Sequence, residues 1–169
     1  MDNSYTFGDV TVTEQEVAQH MVAAVKTIFS TMIFIDDIVE DYPLEKPVSH
    51  FHCSISGMVG LGGAFSGMVG VHLPEDFAQE ATASMLGMTV EEVDAESDIN
   101  DAVGEITNML AGEVKMLFSD KNLHLCLSTP SIISGKDYTI EVMNNNCAVI
   151  VPFYRGEQRF IATLQISAS

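Results

Sequence analysis

The segment DAVGEITNMLAGEVKMLF, Asp101 to Phe118, places an ionisable carboxylate, Glu105, three residues before a neutral amide, Asn108, in a mostly apolar run. At the helical period of about 3.6 residues, Asp101, Glu105, Asn108, Gly112 and Lys115 form one stripe, and Val103, Ile106, Leu110, Val114 and Leu117 form the opposite one. One stripe packs and the other is presented, which makes this helix the expected place for chemistry. The pattern recurs. Glu16-Val17-Ala18-Gln19 followed by HMVAAVKTIF aligns with Glu105-Ile106-Thr107-Asn108 followed by MLAGEVKMLF, so the chain contains an internal repeat.

The elements that must position these stripes are legible in outline. Thr13, followed three residues later by Glu16, has the capping-box pattern of a helix start, and Val17, Met21, Val25 and Ile28 continue that helix to about Met32. Acidic residues, Pro43 and Pro47 break it, and His50 to Leu73 is expected to be a hairpin hinged at Gly60 to Gly63. Pro74-Glu75-Asp76 opens a second helix whose apolar face, Phe77, Ala81 and Met85, runs up to Gly87. The third helix spans Asp98 to Ser119. Alternating strand-like runs follow at Leu123 to Ser128, Tyr138 to Met143, Cys147 to Pro152 and Arg159 to Ile166, separated by Ser-Gly, Asn-Asn-Asn and Arg-Gly-Glu turns. The expected fold is α/β of the α+β type. An antiparallel sheet of about six strands carries two long helices on one face, with pseudo-twofold symmetry, in a single domain over 1–169 whose repeats cover about 13–88 and 98–167.

Composition narrows the function. With 169 residues, 47% of them hydrophobic, the chain is long enough for one ordinary core. A net charge of −17, from seven basic against 24 acidic residues, argues against nucleic acid and anionic membrane surfaces as partners, because both are bound through Lys and Arg. The three cysteines, Cys53, Cys126 and Cys147, have no metal-ligand spacing and are expected to be reduced core residues. Neither a signal peptide nor a run of about 18 uncharged apolar residues occurs, so a cytoplasmic protein is expected.

Asp101-x3-Glu105-x2-Asn108, the following Ala111-Gly112 and the downstream Pro130 resemble the CheC, CheX and FliY family of chemotaxis phosphatases. The likeness is greatest to the CheX branch, through Gly104-Glu105, Asn108-Met109, Ala111-Gly112 and the Ser-Gly-x-Asp turn at Ser134 to Asp137. It implies hydrolysis of the aspartyl phosphate of a CheY-type response regulator. Glu105 and Asn108 match the two active positions, and Asp101, Gly112 and Pro130 the supporting motif. Because an acyl phosphate is already reactive, the phosphatase need only orient one water, which suits the donating and accepting amide of Asn108. Glu105 would engage the regulator's lysine and hold the two proteins in register. No cofactor of its own is implied, since Mg²⁺ resides on the partner. A homodimer formed through the sheets is also implied, with Cys147 to Pro152 and Arg159 to Ile166 offering an edge. The same fold builds non-catalytic flagellar-switch modules, which is the alternative function.

Several residues admit plainer readings. Gly112 would let a partner loop approach the helix, or would serve close helix packing. Asp101 suits the first turn of a helix by charge alone. Glu16 and Gln19 form a degenerate second site, vestigial because apolar Val12 stands where the other copy has Asp101, although Gln retains the ability to orient water. His50 and His52 alternate on a strand as metal ligands would, yet no third ligand has a suitable spacing, so no metal is expected. Met58, Met68, Met85, Met109 and Met116 are assigned to the core. Gly57 to Gly70 lacks the Lys-Ser or Lys-Thr of a phosphate loop and is expected to shape the hairpin.

Overall fold

A computed structural model describes residues 3–143 and 147–167. Its elements are β1 (Ser4–Phe7), β2 (Val10–Thr13), α1 (Glu14–Ile28), β3 (Val39–Glu40), β4 (His50–Gly63), β5 (Ser66–Leu73), α2 (Glu75–Leu86), α3 (Ser97–Ser119), β6 (Leu125–Leu127), β7 (Ser131–Glu141), β8 (Ala148–Arg155) and β9 (Gln158–Ser167). β1 and β2 form a separate hairpin. The other seven strands make one antiparallel sheet of order β3-β8-β9-β5-β4-β6, with β7 also pairing β4. The hairpins β4-β5 and β8-β9 thus meet at the central β5-β9 ladder. α3 packs on β4 and β5, α1 packs on β8, and the two helices lie against each other.

The core lies between helices and sheet, because each element offers it one apolar face. Val17, Met21, Val25 and Phe29 of the first helical stretch, Val103, Leu110, Val114 and Phe118 of α3, and Val149, Val151, Phe160, Ala162 and Leu164 of the sheet are all buried there. α2 adds Phe77, whose ring stacks on Phe29 at 5.8 Å and on Phe160 at 5.1 Å, tying the second helix to the same face. α1 starts as expected, with Thr13 Oγ1 accepting the Glu16 N–H at 3.1 Å. The reciprocal half of a capping box is replaced by an ion pair, since Glu16 Oε1 is 2.6 Å from Lys121 Nζ. α1 then passes into a π-helical turn, Phe29–Ile33, closed by Phe34 at φ 63°.

Several expectations need correction. The hairpin turns at Ala64 and Phe65, and Gly60 to Gly63 lie within β4. The Ser134 to Asp137 turn is a bulge inside continuous β7, because pairing jumps from Ile55↔Ser134 to Cys53↔Tyr138. Cys126 is exposed and Cys147 half-buried, so only Cys53 is a core thiol. Met68 and Met116 are exposed and Met58 is half-buried away from the main core, whereas Met85 and Met109, half-buried, pack against that core as expected. β9 is paired on both sides from Ile161 to Gln165 and offers no edge there, whereas β8 pairs with β3 only at Phe153 and Tyr154. The Asn-Asn-Asn turn at 144–146 lies outside the described residues.

Candidate active site

The orientation of α3 decides where its polar stripe points, and three contacts set that orientation. At its start Asp94 takes the role of a cap, its Oδ1 accepting the N–H groups of Glu96 at 3.0 Å and Ser97 at 2.8 Å. These bonds hold the Asp94 carboxyl below its ordinary pKa. In the middle, Thr107 is fully buried and donates from Oγ1 to Val103 O at 2.7 Å. Gly57 lies directly beneath it, where an added Cβ would stand 2.1 Å from Thr107 Oγ1. At the end, Asn122 at φ 60° turns the chain, and Leu123 N–H donates to Phe118 O at 2.9 Å.

With the apolar side so held, Asp101, Glu105, Asn108 and Lys115 all emerge exposed, and Gly112 is half-buried. Among the described residues neither Glu105 nor Asn108 has an ion pair or side-chain hydrogen bond, so both groups are available to a visiting molecule. The helix begins at Ser97, so Asp98 occupies the first turn and Asp101 the second, which removes the first-turn explanation of Asp101. Gly112 is not a packing glycine either, because an added Cβ there would meet nothing within 4 Å. Pro130, which precedes β7, approaches α3 beside the site, and a Cβ on Gly104 would stand 3.7 Å from it. The expected residues thus share one accessible helix face, with Pro130 along its flank.

The α1 copy differs in its surroundings. Its Gln19 is exposed like Asn108, but Glu16 is already paired with Lys121 from the chain just after α3. Val12, the counterpart of Asp101, is not on a helix. It is buried in β2, one residue before the Thr13 cap. The extra N-terminal turn that carries Asp101 in α3 therefore has no equivalent in α1, where the β1-β2 hairpin takes its place.

On the opposite face of the sheet lies a buried polar chain that the sequence did not reveal. His72, 4% exposed, has Nδ1 2.7 Å from Ser56 Oγ and Nε2 3.0 Å from Thr163 Oγ1, and Tyr138 donates to Ser56 Oγ at 2.7 Å. Burial pushes the His72 imidazole down to about 4 and the Tyr138 phenol up. The only available signal was a lone His alternating with apolar residues in β5, which points inward without naming its partners. His50 and His52 are exposed on β4, and among the described residues no group of three potential metal ligands converges.

Comparison with known proteins bears on the family and the fold. The chain is similar to the CheX chemotaxis protein of Desulfovibrio desulfuricans, at 27% identity and TM-score 0.77, over 90% of this chain and 99% of that one. It is likewise similar to CheX of Vibrio vulnificus, at 25% identity and TM-score 0.78, over 90% and 99%. The fold is shared at 19% identity and TM-score 0.66, over 89% and 97%, with CheX of Borrelia burgdorferi in its complex with CheY, BeF3 and Mg²⁺. A search of curated proteins finds no match. The family model described as chemotaxis phosphatase CheX matches residues 55–154, and with the fold this shows that the chain belongs to the CheX family of chemotaxis phosphatases.

Proposed function

We propose that this protein accelerates hydrolysis of the aspartyl phosphate of a CheY-type response regulator, with Asn108 and Glu105 as its working residues. The observation that carries the reading is their availability. An amide and a carboxylate one turn apart stand exposed and unengaged on a helix whose rotation is fixed from below. The Borrelia relative is a complex with CheY, which supports the same kind of partner here. In the reaction a water oxygen bonds to phosphorus as the bond to the aspartyl oxygen breaks, leaving the regulator's carboxylate and inorganic phosphate. The Asn108 carbonyl accepts a hydrogen from that water and aligns it, while its NH₂ group donates to the phosphoryl oxygens. Glu105 pairs with the regulator's active-site lysine and sets the register of the complex. The regulator brings its own Mg²⁺, which offsets charge on the phosphoryl group.

Exposure of the pair suits a macromolecular substrate, whose own surface must exclude bulk water from the reacting centre. Among the described residues no helix is long and apolar enough to cross a membrane, and a cytoplasmic location is part of the reading. So is a homodimer through the sheet, for which the unpaired stretch of β8, Ala148 to Val151, supplies an edge that β9 cannot. The test is loss of radiolabelled phosphate from a phosphorylated CheY-type regulator of the same organism, with wild type and Asn108→Ala. Wild type should accelerate loss, and the folded variant should lose that acceleration by about 10²–10³-fold. Tight binding with unchanged decay would overturn the phosphatase reading in favour of a non-catalytic module.

A further inference from the structure

We infer that the turn at the end of α1, led by the exposed ring of Phe34, is a second contact surface for the response regulator received by Glu105 and Asn108. The inference rests on the phosphatase reading and enlarges the docking surface of that same site. Phe34 closes the π-helical turn Phe29–Ile33 with φ 63° and ψ 36°, and its N–H and that of Ile35 both donate to Phe29 O. That left-handed conformation suits glycine, because a Cβ crowds the following carbonyl. The chain itself uses glycine for it elsewhere. α2 ends at Gly87 with φ 66° and ψ 35°, nearly the same dihedrals, and the turn between β8 and β9 has Gly156 at φ 60°. Among the described residues only Phe34 and Asn122 adopt positive φ without being glycine, and a short Asn is tolerated there.

The ring gains little from this position within the folded chain. Phe34 is 71% exposed, whereas every other phenylalanine among the described residues is buried or half-buried. Phe29, five residues earlier, stacks on Phe77 and Phe160, and among the described residues Phe34 has no such ring contact. Met32, two residues before it, is 44% exposed. The Ser84 hydroxyl donates to Ile33 O, which brings the end of α2, with Leu86 47% exposed, to the same turn. An aromatic residue held out in solvent, in a backbone conformation that opposes it, is explained by a partner and not by folding.

Position and charge identify the partner. α1 and α3 run antiparallel, since Glu16 pairs with Lys121 and His20 Nε2 lies 2.8 Å from Glu113 O. Both rise about 1.5 Å per residue, so Met32, twelve residues beyond His20, is near the level of Asp101, twelve residues before Glu113. The turn therefore lies at the Asp101 end of the helix layer, where α2 packs against both it and α3. A partner interface of ordinary size, about 800 Å² on each side, is wide enough to take in this turn and Glu105, one turn beyond Asp101. The rim is acidic. Asp36, which accepts from Ser30 Oγ at 2.6 Å, and Asp37, paired with Arg155, are both exposed. A twofold contact of two copies through Phe34 would bring two acidic rims together, and an anionic membrane would meet the same charges. The surface fits an apolar patch of the regulator flanked by a basic side chain.

The test compares wild type, Phe34→Gly, Phe34→Leu and Asn108→Ala as full chains. It reads thermal unfolding, dephosphorylation kinetics, and binding of the regulator carrying BeF3 and Mg²⁺ in place of the phosphoryl group. Phe34→Gly should raise Tm by about 2–4 °C and yet weaken binding, in Kd and in KM, at least about tenfold, with kcat changed less than about twofold. Phe34→Leu should keep most of the binding without the gain in Tm, and Asn108→Ala should keep Kd while losing kcat. Unchanged Kd and KM in Phe34→Gly would overturn the inference. Weaker binding accompanied by a lower Tm would do so too, because the ring would then serve the fold. Self-association of wild type that Phe34→Gly abolishes, with binding of the regulator unchanged, would assign the face to a second copy and equally overturn it. Binding without dephosphorylation by wild type would overturn the phosphatase reading alone, and the Kd comparison would still decide the role of Phe34.

Discussion

Gly57 on β4 and Thr107 on α3 touch so closely that the helix rests on bare strand backbone, where a methyl on Gly57 would stand 2.1 Å from Thr107 Oγ1. Thr107 is the residue just before Asn108, so this contact sets both the depth and the rotation of the presented amide. Gly57→Ala should push α3 outward and cost about 1–3 kcal/mol of stability, the usual range for overpacking. Thermal unfolding and the phosphatase assay together check it. Thr107→Ala in the same chain should recover part of the loss, and failure to recover any would mean that another contact sets the helix.

Glu105 and Asn108 should separate kinetically. If Glu105 pairs with the regulator's lysine, Glu105→Gln raises KM or Kd for the phosphorylated regulator with a smaller effect on kcat. Asn108→Ala should do the reverse. Raised salt should mimic the Glu105 variant, since a single exposed ion pair is screened over about 8–10 Å at ordinary ionic strength.

Gly112 offers a sign reversal. An added methyl meets nothing within 4 Å, so Gly112→Ala should stabilise the free protein by about 0.5–1 kcal/mol through helix propensity. The same methyl should raise KM by crowding a partner that approaches α3 beyond Asn108. Greater stability with unchanged KM would show that the regulator docks elsewhere on the helix.

The α1 copy should be silent. Glu16→Gln and Gln19→Ala should leave dephosphorylation unchanged, because Glu16 is already paired with Lys121 at 2.6 Å and no counterpart of Asp101 extends the helix. The pair is partly exposed, so Lys121→Ala should cost no more than about 1 kcal/mol. Residual activity in Asn108→Ala that vanishes on adding Gln19→Ala would contradict this.

His72 should make stability sensitive to acid. Burial holds its imidazole near 4, below the ordinary 6.5, so the unfolded chain binds the proton more readily than the native one. The contribution is complete above pH 6.5 and is lost as pH falls towards 4, amounting to about 2 kcal/mol by pH 5. Denaturant midpoints across that window measure it. His72→Gln should flatten the slope whatever its effect on the absolute level.

The legibility of these features follows from their range in sequence. The stripe Asp101, Glu105, Asn108, Gly112 and Lys115 was readable because helical neighbours are three or four residues apart. The starts of α1 and α2 were readable for the same reason, through Thr13 and Pro74. In the sequence the bulge at Ser134 to Asp137 has the residues of a turn, since whether a Ser-Gly pair ends a strand depends on what pairs with it, here Ile55 and Cys53. The β4 glycines suggest a bend in the sequence for a related reason. Gly57 answers to Thr107, fifty positions away, and no local pattern records that contact.

By itself the sequence determined the helices, the strand-rich second half, the repeat and the candidate pair, because each rests on periodicity, capping or local motif chemistry. Only the tertiary structure decided that, among the described residues, Glu105 is unengaged while Glu16 is held by Lys121, and that Gly112 is open while Gly57 is full. Those distinctions depend on which groups distant in the chain arrive within a few ångströms of one another. Packing settles that, through contacts that the periodicity of a single segment does not encode.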